Sequence, residues 1–137
     1  FFNIHVRLGD YKKNRDLFPK LPENYFISAI ENYHSLNQRI RLFSDDIFNL
    51  RLNYRKLCSM VDEIPLRNPK TPLELMKIIS SGSTLITSNS TFSTWAAWFS
   101  NAKLITTPIP HLLSSAWKDS FPESWVRYDL KSECWVF

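Results

Sequence analysis

A histidine, an arginine and an aspartate lie close together near the start of the chain, in the segment HVRLGDY at residues 5–11. Because side chains alternate along a strand, we predict His5 and Arg7 on one side and the apolar residues that follow each of them on the other. The arginine could grip a diphosphate in a forked geometry, with each charge-assisted hydrogen bond contributing roughly 1.5–3 kcal/mol. The alternative is structural: Arg7 pairs with Asp10 and holds the turn at Gly9.

A run of hydroxyl side chains precedes an aromatic segment later in the chain. Residues 87–94 read TSNSTFST, and residues 95–99 read WAAWF. The free N–H groups and positive dipole at the start of a helix form an anion site, and Ser or Thr side chains add donors. The segment therefore predicts a pyrophosphate site. The structural alternative is that the hydroxyls are ordinary N-caps and the aromatic residues are core.

Two adjacent carboxylates, Asp45 and Asp46, follow a short apolar run. They could bind a metal, accept a phosphoryl group or cap the next helix, and capping is the default interpretation. His34 and His111 have no second ligand at metal-binding spacing, so we interpret them as structural or surface residues and predict no metal site. Two glycines are too few for a P-loop or a dinucleotide fingerprint, so side chains and helix ends would have to hold any phosphates.

The elements that must position these side chains alternate along the chain. Apolar and β-branched runs predict five short strands, at residues 2–8, 40–43, 60–64, 84–87 and 104–107. Helical periodicity between them predicts an apolar stripe at Phe26, Ile30 and Tyr33 and another at Ile47, Leu50, Tyr54 and Leu57. In the third interval, a helix from about Pro72 to Ser81 is predicted from the N-cap Thr71, the first-turn proline, the capping-box Glu74 and the stop at Gly82.

This alternation indicates a Rossmann-like α/β fold with a doubly wound, parallel, five-stranded sheet. Ligands of such sheets bind at the carboxyl ends of the strands. Because the first and fourth predicted strands are adjacent in most doubly wound sheets, Arg7 is expected opposite the hydroxyl-rich turn.

The composition of the 137-residue chain, 44% hydrophobic and 22% charged, is typical of one globular domain. The formal charge of +4 suits an anionic partner such as a nucleotide, a nucleic acid or a membrane surface. No apolar stretch approaches the roughly 20 residues that cross a bilayer. The distant Cys58 and Cys134 are interpreted as reduced thiols. The chain opens within a predicted strand, so we expect a fragment whose N-terminal portion is missing.

The segment HVRLGDY at 5–11 and the segment NSTFSTWAAW at 89–98, together with FSDD at 43–46 and Pro108, resemble the α-1,2-fucosyltransferase family, glycosyltransferase family 11. The resemblance implies inverting transfer of L-fucose from GDP-fucose to a galactose 2-hydroxyl in a GT-B fold, whose C-terminal half binds the donor. Residues 1–137 would be that GDP-fucose-binding domain, without the N-terminal acceptor part and inactive alone.

The same resemblance implies roles for individual residues. Arg7 would contact the diphosphate and His5 the nucleotide, and the residues closing over the phosphates would be Asn89, Ser90, Thr91, Phe92 and Ser93. Arg7 and Asp10 are the predicted catalytic residues, although Asp16 and Glu23 also remain candidates for the general base. The chain departs from the family pattern at Leu8, where a second arginine is common, and at Thr94, where an aromatic residue is usual.

The implied partners are GDP-fucose, a galactose-terminated glycan, free or lipid-linked, and the missing N-terminal half. No metal or other cofactor and no nucleic acid are expected. The enzyme would be cytoplasmic or peripheral at the cytoplasmic membrane in a bacterium, and in the Golgi in a eukaryote.

Two other functions are compatible with the residues. A receiver-like signalling domain is suggested by five alternating strands, the Asp45-Asp46 pair and the hydroxyls of Thr87 and Ser88. It would need a lysine at the end of the fifth strand, and Lys103 lies at its beginning instead. The other is a non-catalytic remnant that still binds nucleotide.

Overall fold

A computed structural model describes residues 1–65, 71–113 and 121–137. Its strands are β1 Phe2–Val6, β2 Ile40–Ser44, β3 Thr84–Ile86, β4 Leu104–Ile109, β5 Val126–Asp129 and β6 Cys134–Val136. Its helices are α1 Glu23–Tyr33, α2 Ile47–Asn53, α3 Arg55–Met60, α4 Pro72–Ser80 and α5 Thr91–Trp98, and a 3-10 turn covers Asp10–Lys12. Among these described helices, none combines the length and apolar character needed to cross a membrane.

The described strands form one mixed sheet in the order β2-β1-β3-β4-β5-β6. The first five are parallel, and β6 is antiparallel to β5. The predicted first and fourth strands, now β1 and β3, are neighbours, with Ile4 opposite Ile86. The α/β prediction is confirmed, and the sheet is six-stranded and mostly parallel rather than five-stranded and parallel.

The observed strands differ from the predicted ones at two places in the chain. The predicted strand at 60–64 contributes a single parallel bridge, from Glu63 to Arg41. There α3 ends at Met60, and the Asp62 carboxylate accepts a hydrogen bond from Ile40 N, so polar residues meet the edge of β2 where an apolar strand was expected. The missed strands β5 and β6 lie at the other end of the sheet, where Arg127 and Asp129 interrupt the apolar pattern of β5 and β6 is only three residues long.

Helices cover both faces of the sheet. Phe2, Ile4 and Val6 of β1 pack with buried residues of α1, α2 and α3 on one face. Leu85 and Ile105 pack with α4 and α5 on the other. The second predicted helical stripe is confirmed as a buried face, but it belongs to two short helices, α2 and α3, separated at Tyr54. This doubly wound arrangement leaves the carboxyl ends of the central strands open between α4, α5 and the loop after β1.

Helix α4 begins as predicted, because Thr71 Oγ1 accepts a hydrogen bond from Glu74 N at 3.2 Å. The helix was expected to end because Gly82 would act as a C-terminal glycine cap, and this is not what the structure shows. Ser81 is the C-cap in a right-handed conformation, and neither glycine, both of which are described, has a positive φ. Gly82 is needed for close packing: a Cβ there would lie 2.8 Å from Asn3 Nδ2 and 2.9 Å from Leu85 Cδ2.

We expect Gly82→Ala to lower the free energy of unfolding by about 1–3 kcal/mol. The Asn3 amide cannot retreat easily, since its Nδ2 donates to Ile79 O at 2.8 Å. Urea denaturation of the variant gives the difference. In an Asn3→Ala background the same substitution should cost less, so strictly additive effects in the double-mutant cycle would contradict this explanation.

Candidate functional site

A cleft of about 660 Å³ opens at the carboxyl ends of β1, β2 and β3. This volume lies within the range typical of small-molecule sites, roughly 300–1,000 Å³. Its lining includes His5, Arg7 and Asp10 from the first segment, Ser90, Thr91 and Phe92 from the second, and Ser44, Asp45, Thr71 and Leu75 from the elements beside them. The pairing of β1 with β3 therefore brings the two predicted segments to one cleft.

Arg7 makes ion pairs with two carboxylates. Its Nη2 lies 2.9 Å from Asp10 Oδ1, and its Nε lies 3.2 Å from the same oxygen and 3.3 Å from Asp45 Oδ2. The Arg7–Asp10 pair of the structural interpretation is thus present. Among the described residues, Nη1 has no hydrogen-bond partner. One edge of the guanidinium is engaged, and its remaining donors are available at the cleft.

Asp45 organises the turn after β1. Its carboxylate accepts hydrogen bonds from Leu8 N at 2.8 Å and from Gly9 N at 3.0 Å. A Cβ on Gly9 would collide with this carboxylate, so the turn requires glycine because of the close approach. Asp46 caps α2, as predicted for this pair, by accepting from Asn49 N at 3.0 Å. The two aspartates have separate structural contacts, and the role of Asp45 was not predicted.

His5 forms part of the cleft floor and is 2% exposed. Its Nδ1 lies 3.3 Å from Ser88 Oγ, and its ring centroid is 5.6 Å from that of Phe92. Burial lowers the pKa of His5 to about 4; the nearby Asp45 charge opposes this shift and the Arg7 charge adds to it. His5 is therefore a neutral, polar group at physiological pH.

The turn before α5 divides the predicted phosphate-binding residues into two groups. Ser90, Thr91 and Phe92 line the cleft. Ser93 is buried and its Oγ accepts a hydrogen bond from Ser88 N at 3.0 Å. The Asn89 amide is also buried and donates to Pro19 O at 2.9 Å. The structure thus places Asn89 and Ser93 as braces of the turn and outside the cleft lining.

The start of α5 offers main-chain donors to the cleft. Ser90 is the N-cap in an extended conformation, and within the described residues its side chain makes no capping hydrogen bond. The first amides of a helix have no intrahelical partner, and its dipole makes this end positive. The described cleft lining contains one cationic side chain, Arg7, and two carboxylates, Asp10 and Asp45. The amides of α5 therefore add the positive potential that an anionic ligand would need. No group of three His, Cys, Asp or Glu residues in the described chain could hold a metal ion.

Tyr11 and Phe18 form an aromatic wall of the cleft that was not predicted. Their rings stack with centroids 4.0 Å apart, and Tyr11 Oη donates to Asn89 O at 2.9 Å. Burial raises the pKa of Tyr11, partly offset by a hydrogen bond with Ser90, so the phenol remains protonated. Phe18 is seven positions beyond Tyr11 in an irregular loop, and no periodic pattern marks such a contact.

The three general-base candidates have different surroundings. Asp10 lines the cleft. Glu23 accepts a hydrogen bond from Leu57 N at 2.8 Å, where it links α1 to α3. Asp16 is exposed and is not part of the cleft lining. Geometry brings only Asp10, of the three, to the cleft with Arg7.

Comparison with known proteins supports the resemblance of the motifs. The sequence model described as Glycosyl transferase family 11 matches residues 1–129. No curated protein and no solved structure matches the chain. The family match favours the transferase interpretation over the receiver-like one. Because the matched region contains every residue of the cleft and nearly the whole sequence, the chain belongs to glycosyl transferase family 11, a fucosyltransferase family.

Proposed function

We propose that residues 1–137 are the GDP-fucose-binding domain of an inverting α-1,2-fucosyltransferase with GT-B architecture, which transfers L-fucose to a galactose 2-hydroxyl. Family membership supports the fucosyltransferase activity. The observation that carries the donor assignment is that Arg7 and the start of α5 line one cleft. At about 660 Å³, the cleft is large enough for a nucleotide sugar.

In this proposal the diphosphate lies between Arg7 and the first turn of α5. The Nη1 donors of Arg7 approach it from the β1 side, and the amides around Thr91 and Phe92 approach it from the other. The neutral His5 lies against the nucleotide without adding charge. We propose that these side-chain and main-chain donors bind the diphosphate without a metal.

The chemical step follows from the same contacts. The bond between fucose C1 and the diphosphate oxygen breaks with oxocarbenium character, and its electron pair leaves with GDP. Arg7 and the α5 amides stabilise that charge. The galactose 2-hydroxyl bonds to C1 from the opposite face and loses its proton to a carboxylate, for which Asp10 is our choice. A diphosphate bound at Nη1 shares the guanidinium charge with Asp10, which contacts Nη2 and Nε, and so weakens that ion pair; this couples donor binding to base availability.

The remainder of the proposed enzyme lies outside these residues. The acceptor is a galactose-terminated glycan, free or lipid-linked, held with the help of an N-terminal half that this chain needs for activity. We propose a cytoplasmic or peripheral membrane location for a bacterial enzyme and the Golgi for a eukaryotic one. No nucleic acid is involved.

A thermal-shift titration with GDP, ADP and UDP tests the donor assignment. We expect GDP to bind with a micromolar Kd, so that GDP at about 100 times its Kd stabilises the chain by roughly 2.7 kcal/mol. ADP and UDP at the same concentration should stabilise it less, because guanine contributes to binding. Absence of stabilisation by millimolar GDP, or equal effects of the three nucleotides, would contradict the assignment.

A further inference from the structure

A second cavity lies beside the donor cleft, behind the Tyr11–Phe18 wall. Arg7, Tyr11 and Phe18 line both spaces. The second cavity is completed by Arg15, Lys20 and Asn53, among others. A group bound there would therefore be separated from the cleft by the Tyr11–Phe18 wall.

The side chains that line this cavity carry a net positive charge, whereas those that line the cleft carry a net negative one. Its described lining contains three cationic side chains, Arg7, Arg15 and Lys20, and no carboxylate. Neither Arg15 nor Lys20 forms an ion pair within the described part of the chain. The cleft, in contrast, is lined by Asp10 and Asp45 beside its one arginine. By side-chain charge alone the cavity favours an anion more than the cleft does, and in the cleft the main-chain amides of α5 supply the positive potential instead.

Hydrogen bonding adds to this preference. The carbonyl oxygens of Pro19 and Leu21 each accept one hydrogen bond already, from Asn89 Nδ2 at 2.9 Å and from Tyr54 Oη at 2.8 Å. Arg15 and Lys20 carry donors only, so the charged part of the lining offers donors and no acceptors. The preferred ligand group is an anion with several acceptor oxygens.

The volume limits the size of that group. The cavity measures about 50 Å³, and one water occupies roughly 10–15 Å³ on the same measure. It can hold about four atoms of water size, which suits a carboxylate or a phosphate and is too small for a sugar ring. Of any larger ligand, only the anionic group fits inside, and the rest of the molecule lies outside. The donor phosphates are placed at the start of α5, which does not line this cavity.

We propose that this cavity is an acceptor subsite that binds a carboxylate or phosphate attached to the galactose-bearing substrate. The inference rests on the proposed function, because it assumes the donor in the adjacent cleft. The fucosylated glycan is then acidic: the anion is either a uronic acid next to galactose or the phosphate that links the glycan to a lipid. Arg15 and Lys20 select it.

NMR titration of the chain, saturated with GDP, tests this subsite. The probes are galactosyl-glucuronic acid, galactose 1-phosphate and neutral lactose. We expect at least one anionic probe to bind about tenfold more tightly than lactose. The double variant Arg15→Gln/Lys20→Gln should abolish this preference without changing the GDP affinity. The probe that shows the preference identifies the carboxylate or the phosphate as the source.

The matched control is Arg55→Gln/Lys56→Gln, which removes the same charge from exposed positions of α3 outside the cavity. It should keep the preference for the anionic probe. Equal binding of all three probes by the wild type, or a preference that survives in the cavity variant, overturns the proposal. A loss of GDP affinity in the Arg15→Gln/Lys20→Gln variant also overturns the proposal, because it would show that the cavity binds part of the donor. Failure of the proposed function is distinguishable, because the wild type would then not bind GDP at all.

Discussion

Replacing Arg7 with alanine is expected to weaken GDP binding by about 100-fold while leaving the ligand-free chain almost as stable as the wild type. Loss of two charge-assisted hydrogen bonds, at roughly 1.5 kcal/mol each, gives about 3 kcal/mol of binding free energy. The ion pairs lost in the free protein are partly exposed, with Arg7 at 30% and Asp10 at 62%, and such pairs contribute at most about 1 kcal/mol. Isothermal titration calorimetry and urea denaturation measure the two quantities.

Two further variants test whether the loss of GDP affinity comes from the contact between Arg7 and the diphosphate. Arg51→Ala removes an exposed arginine of α2 outside the cleft lining and should leave the GDP affinity unchanged. Asp10→Asn removes the carboxylate that competes with the diphosphate for the guanidinium, so it should preserve or increase the affinity. An Arg7→Ala chain that binds GDP normally but loses several kcal/mol of stability would favour the structural interpretation of the Arg7–Asp10 pair.

The sequence predicts that Arg7 and the α5 turn lie together because each segment carries a local signal and the doubly wound fold makes their strands neighbours. Alternation along β1 fixes the side on which His5 and Arg7 lie, and the parallel arrangement carries both segments to one edge of the sheet. Helix α4 is predicted for the same reason, since its N-cap and proline act within a single turn. The pairing of β1 with β3 is the only distant relation among these features, and the fold class supplies it without any knowledge of side-chain contacts.

Contacts between distant residues were not predictable in this way. Asp45 binds the amides of Leu8 and Gly9 across more than 35 positions of sequence, and a carboxylate before a helix carries no signal that distinguishes this contact from capping. The same applies to Asn89, whose side-chain amide donates to a carbonyl oxygen 70 positions away, whereas Ser93 accepts its hydrogen bond locally, from an amide five positions away. Their residue types suit phosphate binding, but the turn uses their side chains for its own hydrogen bonds. The type of a residue shows that it can form a hydrogen bond, but it does not show which group will be its partner.

The edges of the sheet were the least predictable part of the fold. Only Tyr128 of β5 is buried, and Cys134 and Val136 of the edge strand β6 are exposed, since strands near the edge of a sheet need less buried apolar surface than central ones. The segment at 60–64 has the opposite composition, with apolar residues around Asp62 and Glu63, yet it contributes only a bridge. In both places, whether a segment joins the sheet depends on the strand beside it, and a local sequence pattern does not identify that strand.

The second large effect concerns pH. His5 has a pKa of about 4 in the folded chain because burial disfavours its charged form, against 6.5 for the ordinary side chain. The unfolded chain therefore takes up a proton as the pH falls below 6.5, while the folded chain does not until about pH 4. The stabilising contribution is complete above pH 6.5 and is lost between 6.5 and 4, after which it does not change further.

At 1.36 kcal/mol per pH unit, the expected loss of unfolding free energy from this one residue is about 3 kcal/mol. His5→Gln removes the titration and keeps a polar group beside Ser88. We expect the variant to be less stable than the wild type at pH 7.5, because glutamine fills the buried site less well, and the gap to narrow by about 3 kcal/mol by pH 4. Urea denaturation of both proteins across this range isolates His5, since the carboxylates common to both cancel in the difference. Parallel curves for the two proteins would show that His5 takes up its proton over the same pH range in the folded and unfolded chains, and the lowering of its pKa by burial would then be wrong.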